Sequence, residues 1–269
     1  MKTAMNGCTW GGYADYAGEP NDADRFFADV AEAGFEGIEV GGGKAFLGTP
    51  AACRKRAERH GLEIAAAGAA VTYQPYPPNI RQYRAAMRYA AELGVSTLMV
   101  CGGFMPWKRR NTYARDYDTF AESLGEAMAF AESLGLIVAY HPHRGCIVET
   151  IAETRQMTRR LPDLRLCVDV AHLEASGEDA LKFIRTFRRQ IVYTHIKDYS
   201  HKRDSFIELG KGDGKLDVAA CVAELARVGY DGWLCVELDR PVREFERTGR
   251  TPLDSAKICR RYLRHKCGT

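Results

Sequence analysis

A chain of 269 residues, 46% of them hydrophobic and 27% charged, has enough apolar material for one large α/β domain or two small ones. A net charge of +3, with Lys and Arg scattered among nearly as many acids, argues against a nucleic-acid surface, which calls for a concentrated basic face. No apolar run approaches a membrane span, and residues Met1 to Gly7 lack the long apolar segment of a secretory signal. The nine cysteines are dispersed without a C-x-x-C pair, and several (Cys101, Cys167, Cys235) sit inside apolar runs. They read as reduced core residues of a cytoplasmic protein, not as a disulfide framework.

In chain order, strand and helix patterns alternate. Ala4 to Thr9 reads as a first strand, and Asn21 and Asp22 offer the cap of a helix through Phe26, Phe27 and Val30. Gly37 to Val40 is a second strand running into Gly41-Gly42-Gly43. Thr49-Pro50 opens a helix that closes at Gly61. Leu62 to Ala67 is a third strand, Asn79 to Leu93 a helix ended by Gly94, and Ser96 to Cys101 a fourth strand before Gly102-Gly103. A helix spans Tyr117 to Leu134, and Ile137 to Tyr140 is a β-branched fifth strand stopped by Pro142. Thr150 to Leu161, Glu178 to Phe187, Asp217 to Val228 and Leu253 to Leu263 read as helices. Between them lie strands Leu164 to Asp169, Ile191 to Lys197 and Trp233 to Glu237. Eight βα units without a linker-like break predict one domain over 1–269, a closed (β/α)₈ TIM barrel. A doubly wound open sheet is the rival, but no G-x-G-x-x-G follows the first strand.

Barrel chemistry is built at the carboxyl ends of strands. The fifth strand ends in His141-Pro142-His143, with Gly145 and Glu149 in the following loop. The sixth ends in Asp169-Val170-Ala171-His172, the seventh contains His195-Ile196-Lys197-Asp198, and the eighth ends in Glu237-Leu238-Asp239. Apolar residues precede a polar one each time, and five of the seven histidines fall between His141 and His201. A histidine at one strand end is ordinarily a hydrogen-bonded structural residue. Four consecutive strands ending alike point to a shared site. Carboxylates with an imidazole and no thiolate suit a divalent ion, with Mn²⁺ the leading choice and Mg²⁺, Co²⁺ or Zn²⁺ compatible. Such an ion, held by three carboxylates and one His, keeps two positions for a ketose or keto-cyclitol with adjacent carbonyl and hydroxyl oxygens. It then acts as a Lewis acid toward an enediolate while a flanking Glu moves the proton.

These residues resemble the xylose-isomerase-like TIM-barrel superfamily of sugar phosphate isomerases and epimerases. Within it, His141-Pro142-His143-Arg144-Gly145-Cys146-Ile147-Val148-Glu149-Thr150, Asp169-Val170-Ala171-His172-Leu173, His195-Ile196-Lys197-Asp198, Gly210 to Gly214 and Gly229 to Glu237 are similar to the inosose dehydratase branch. The resemblance implies a metal held by a Glu of the fifth unit together with Asp169, His195 and Glu237. It also implies that His172 contacts substrate and that Lys197 binds it. Epimerases of the family place a Glu directly at the end of strand five, where this chain has His141. Glu149 is then the expected first ligand, folded back by the Gly145 turn, with Glu149 and Glu237 moving protons and His141 and His143 free for acid–base work.

Trp10, Tyr13, Tyr73 and Trp107 follow early strands and read either as a wall over the sugar ring, Trp107 being taken as substrate-binding, or as loop packing. Lys108-Arg109-Arg110 is read as a solvated loop. The leading expectation is a metal-dependent isomerase or epimerase of a ketose-like sugar. The alternative is a lyase that dehydrates inosose or a related keto-sugar. An abasic-site endonuclease wants histidines on early strands, which this chain lacks, and a non-catalytic sugar-binding barrel would not need Asp169, His195 and Glu237 together. The expected partner is a small sugar or cyclitol, with neither nucleic acid nor membrane; homo-oligomerisation stays open.

Overall fold

The computed structural model describes residues 1–10, 23–41, 46–72, 80–105, 113–239 and 247–269. Its strands are β1 (Lys2–Asn6), β2 (Gly37–Val40), β3 (Glu63–Val71), β4 (Thr97–Gly102), β5 (Ile137–Tyr140), β6 (Arg165–Asp169), β7 (Ile191–Ile196), β8 (Asp198–Ser200), β9 (Ser205–Ile207) and β10 (Trp233–Val236). Eight of them close a parallel barrel in the order β1-β10-β7-β6-β5-β4-β3-β2, while β8 and β9 form a separate antiparallel hairpin. The helices are α1 (Ala23–Ala33), α2 (Pro50–Arg59), α3 (Ile80–Leu93), α4 (Ala114–Glu132), α5 (Ile151–Arg160), α6 (Val170–Ala175), α7 (Ala180–Phe187), α8 (Val218–Arg227) and α9 (Pro252–Tyr262). The predicted (β/α)₈ barrel is the observed fold. No helix among the described residues is long and apolar enough to cross a membrane.

Local chemistry places the elements. Thr49 caps α2 through a hydrogen bond from the Ala52 N–H, with Pro50 in the first turn, where its missing donor costs nothing. Thr150 and Glu153 satisfy each other's backbone N–H groups at the start of α5, as Thr251 and Asp254 do at α9. Asp179 and Asp217 cap α7 and α8. β1 stops three residues before its expected end because Asn6 Oδ1 accepts the Cys8 N–H at 2.7 Å, and the chain enters a 3₁₀ turn over Gly7–Trp10. At the end of β4, a Cβ on Gly102 would lie 1.9 Å from the Val71 carbonyl oxygen. Only glycine fits that contact.

The core has two parts. Between sheet and helices lies the larger, with Phe26, Phe27, Leu98, Phe120, Tyr140 and Phe183 fully buried; each such side chain contributes roughly 1.5–3 kcal/mol. Inside the barrel Ala4, Ala66, Met99, Ala139, Cys167, Tyr193 and Cys235 form a small separate cluster. Alternate residues of a barrel strand point inward. The next inward position along each of four strands is two residues on: His141 after Ala139, Asp169 after Cys167, His195 after Tyr193 and Glu237 after Cys235. Register sets Asp169 level with His195, while His195 pairs with Cys235, so Glu237 stands one inward position further along and meets His195 from above.

Candidate functional site

Asp169 ends β6 and caps α6. Its Oδ1 accepts the N–H groups of Ala171 and His172, both at 2.9 Å, so the other oxygen is left to face the barrel axis. There Oδ2 lies 3.5 Å from His141 Nε2 and 4.0 Å from His195 Nδ1, which in turn lies 3.0 Å from Glu237 Oε2. One donor atom from each of His141, Asp169, His195 and Glu237 falls within 4.8 Å of all the others, and all four residues are buried. His141 Nε2, Asp169 Oδ2 and His195 Nδ1 make no hydrogen bond of acceptable geometry among the described residues. Buried polar atoms are normally satisfied. Two imidazole nitrogens and two carboxylate oxygens converging in a buried place, the carboxylates also facing the Lys197 ammonium, are a donor set of the kind a divalent cation takes, and the residues present therefore fit a metal.

His195 is braced from behind. Its Nε2 lies 2.7 Å from Glu39 Oε2, and Asn6 Nδ2 donates to Glu39 Oε1 at 2.8 Å. A carboxylate behind a histidine fixes the tautomer, here turning the Nδ1 lone pair toward the site whenever that nitrogen ligates. Burial opposes charge on His195, but Glu237 and Glu39 outweigh it and raise its pKa well above the ordinary value. Proton and cation therefore compete for Nδ1.

Lys197 is the other fixed charge. Its ammonium is fully buried, 2.6 Å from Glu237 Oε2, 2.7 Å from Asp169 Oδ2 and 3.1 Å from Asp239 Oδ1. Burial opposes its charge, but these carboxylates hold its pKa well above normal. Burial likewise opposes ionisation of Asp169 and Glu237, yet Lys197 and neighbouring imidazoles keep both carboxyls well below their usual range. Asp239 goes the other way: burial and the nearby Glu237 and Asp169 outweigh Lys197 and push it up to about 7. Burial lowers the pKa of His141 against the pull of Asp169, lowers that of His143 to about 3 with help from His141 and Lys197, and lowers that of His172 strongly.

The expected residues are partly assembled here. Asp169, His195 and Glu237 converge, with Lys197, His143 and His172 beside them. The difference concerns the first ligand. Glu149 accepts the Gly145 N–H at 3.1 Å through one oxygen and the Ser176 hydroxyl at 2.8 Å through the other, and it joins no such group of donors. Its backbone N–H is bound at 2.9 Å by Glu153, the partner of Thr150 in the α5 cap, which anchors Glu149 at the helix entrance. The Gly145 turn does fold the loop back, with φ +84°. It carries the carboxylate to Ser176, and His141, expected to act on substrate, stands in the fourth donor position.

Trp107 lies outside the described residues, as do Tyr13, Tyr73 and Lys108-Arg109-Arg110. Trp10 packs on Phe26 with ring centroids 5.2 Å apart and donates to Asp29 at 2.8 Å. Among the options for it, that is loop packing. Sequence reasoning missed Glu39 and gave Asp239 no role. The available signal for Glu39 was a lone carboxylate inside the apolar strand Gly37-Ile38-Glu39-Val40.

Comparison with known proteins agrees with this architecture. The chain is 24% identical to the inosose dehydratase of Geobacillus kaustophilus (strain HTA426), over 91% of this chain and 88% of that one. It is 25% identical to the inosose dehydratase of Clostridium perfringens (strain 13 / Type A), over 93% and 91%. Among solved structures it superposes on an IOLI protein with a bound zinc atom at a TM-score of 0.77, with 17% identity, covering 100% of this chain and 98% of that one. It matches the 3-keto-D-glucoside 4-epimerase of E. coli at 0.76, with 18% identity, over 98% and 99%. The model of the xylose isomerase-like TIM barrel matches residues 27–261, and the chain belongs to that family.

Proposed function

We propose that the protein is a divalent-metal-dependent enzyme that moves a proton next to the carbonyl of a keto-sugar or keto-cyclitol. The observation carrying this reading is the buried convergence of one donor atom each from His141, Asp169, His195 and Glu237. Those four residues are the proposed ligands, with Glu149 a brace of the loop. When bound, the cation supplies Lewis acidity to a carbonyl oxygen. Two imidazoles with two carboxylates form a softer set than the three-carboxylate one expected, which favours Mn²⁺, Co²⁺ or Zn²⁺ over Mg²⁺.

The chain's own groups do the rest. Glu237, held ionised by His195 and Lys197, is the base placed to take a proton from carbon. Lys197, fully buried, fixes the orientation of Glu237 and Asp169 and keeps its charge at the site. His172 and His143, stacked with ring centroids 3.9 Å apart, face the substrate from the β5 and β6 side. The inosose dehydratases among the relatives favour dehydration of an inosose-like keto-cyclitol. Epimerisation of a ketose is the second reading, favoured by the epimerase fold neighbours.

The test is a panel of inososes and ketoses with Mn²⁺ in D₂O. A dehydrated product supports the lyase, deuterium in recovered or epimerised sugar supports the epimerase, and no turnover by protein that takes up no cation overturns the proposal.

A further inference from the structure

At the end of the barrel opposite the mouth, a cavity of about 330 Å³ is lined by Arg185, Arg188, Arg227 and Val228. Arg185 stands in the last turn of α7 and Arg188 just beyond it, before β7 begins; Arg227 ends α8 and Val228 follows, before β10 begins. The cavity therefore lies at the amino ends of the strands, away from the donors gathered at their carboxyl ends. Arginine beside a helix carboxyl end has an ordinary explanation, since the last carbonyls carry partial negative charge. Arg188 fits it, its Nη1 donating to the Arg185 carbonyl oxygen at 3.4 Å. Arg185 and Arg227 do otherwise, because both turn to a single carboxylate.

That carboxylate is Glu224, which is nearly buried. Arg185 donates to it through Nε at 2.9 Å and Nη2 at 3.5 Å, and Arg227 donates through Nε at 2.9 Å and through Nη2. Hydrogen bonds from Arg227 and Arg185 hold the Glu224 carboxyl down at about 2, so it is ionised at neutral pH. A guanidinium has five N–H donors, and two of them used on Glu224 leave three on each arginine. Neither guanidinium makes another hydrogen bond among the described residues, and their side chains are 56% and 64% exposed. Glu224 thus orders both forks in advance while their outer edges stay available to a ligand. Ordering a long side chain is an entropic cost of binding, and here the fold has already met most of it. Three guanidiniums against one carboxylate leave two positive charges at the cavity, and Arg188 joins no ion pair among the described residues.

We propose that Arg185, Arg188 and Arg227 form a binding site for a phosphate-bearing small molecule, with Glu224 as the positioning residue. Guanidinium edges match phosphate oxygens two by two, which an ammonium does not. A phosphate monoester carries close to two negative charges at neutral pH, which balances the two positive charges left over. The cavity stands at the small end of the roughly 300–1,000 Å³ range of ligand pockets, with room for a phosphate and a short substituent. A nucleic-acid strand calls for a continuous basic track, and here a carboxylate sits in the middle of the arginines. The site goes beyond the proposed function and is independent of it. An anion held there joins the corners that lead into β7 and β10, the strands that carry His195 and precede Glu237.

Pyrophosphate and inorganic phosphate, titrated into the full chain at constant ionic strength with chloride as control, test it through the arginine Nε–H signals in NMR. The expected result is a saturable shift of the Arg185 and Arg227 signals, with a melting temperature that rises as either phosphate is added. Arg188→Gln removes a charge from an exposed side chain. Without phosphate its melting temperature should match the wild type, and its affinity for pyrophosphate should fall roughly tenfold or more, the scale of one hydrogen bond to a charged group. Unchanged affinity in that variant, or the same shifts with chloride alone, overturns the site in favour of a solvated arginine cluster. A single-stranded RNA oligomer that binds more tightly than pyrophosphate, and loses its grip in Arg188→Gln, overturns it in favour of nucleic acid. Cation uptake at the mouth stays at the wild-type level in this variant, so the site and the metal proposal fail separately.

Discussion

The interior of this barrel has a floor and a mouth, built on the same strands two residues apart. The floor, Ala4, Ala66, Met99, Ala139, Cys167, Tyr193 and Cys235, is buried and almost entirely apolar. The mouth, beginning one inward position further along, buries Glu39, Asp169, Glu237, Lys197 and His195, with Asp239 at its edge. Floor residues stabilise the fold by leaving water. Buried charges cost free energy unless paired. In the mouth, Asp169, Glu237 and Asp239 surround Lys197, and His195 lies between Glu39 and Glu237, so each buried charge faces an opposite partner. Folding and chemistry are thus separated along each strand by a single pleat.

Breaking the mouth has the largest expected effect. Asp169→Ala removes a donor and leaves Lys197 with one carboxylate fewer. Cation affinity, measured by competition with a chromogenic chelator, falls by more than the roughly tenfold to hundredfold that loss of a supporting partner costs, and turnover falls with it. Wild-type affinity in this variant would remove Asp169 from the ligand set.

Breaking the floor should do the reverse. Met99 is 2% exposed, and Met99→Ala costs about 2–5 kcal/mol in urea unfolding. The number of cations bound per folded chain stays unchanged. A variant that loses stability and cation together would show that floor and mouth are one cooperative unit.

Glu39→Gln sharpens the boundary, since among the described residues Glu39 meets the proposed donors through His195. The amide keeps an acceptor for His195 Nε2–H but loses the charge. A roughly tenfold weaker cation affinity is expected, with the melting temperature less sensitive to added cation than in the wild type.

The smallest effect belongs to the rim, where Arg144 pairs with Asp204 of the β8–β9 turn at 2.6 Å. Asp204 is 65% exposed and sits at φ +47°, which Asn tolerates equally, so Asp204→Asn isolates the charge. The hydrogen bond from Arg144 lowers the Asp204 pKa in the folded chain. A lowered carboxyl pKa stabilises above the unfolded value and is lost as pH falls through the folded one. The variant should therefore lose at most about 1 kcal/mol at neutral pH. It should equal the wild type in acid, below the ordinary carboxylate range.

Much of this was legible in the sequence, for local reasons. Gly37–Val40 and Ile137–Tyr140 coincide with their strands because β-branched residues between turn glycines and a proline leave little choice. Thr49, Asp217 and Thr150 mark helix starts because a cap is a contact over two or three residues. The short helix α6 leaves no such mark, because Asp169 ends an apolar strand in the sequence and becomes a cap only through its two backbone hydrogen bonds. The β8–β9 hairpin leaves none either, lying in a polar stretch without an alternating apolar pattern.

What the sequence by itself determined is the barrel and the residue types at its carboxyl ends, since a period of two along each strand fixes which side chains face inward. The tertiary structure decided which of them meet. Glu39 reaches His195 across 156 residues, a pairing no spacing encodes. His141 stands with the donors while Glu149 turns to Ser176, because the helix cap at Thr150 and the Gly145 turn together aim that carboxylate away. The hydrogen bonds of His143 and His172 depend on how the loop aims the carbonyl and the N–H of one residue, Arg144, at two different rings. Local pattern sets the direction of a side chain; only closure of the barrel sets its partner.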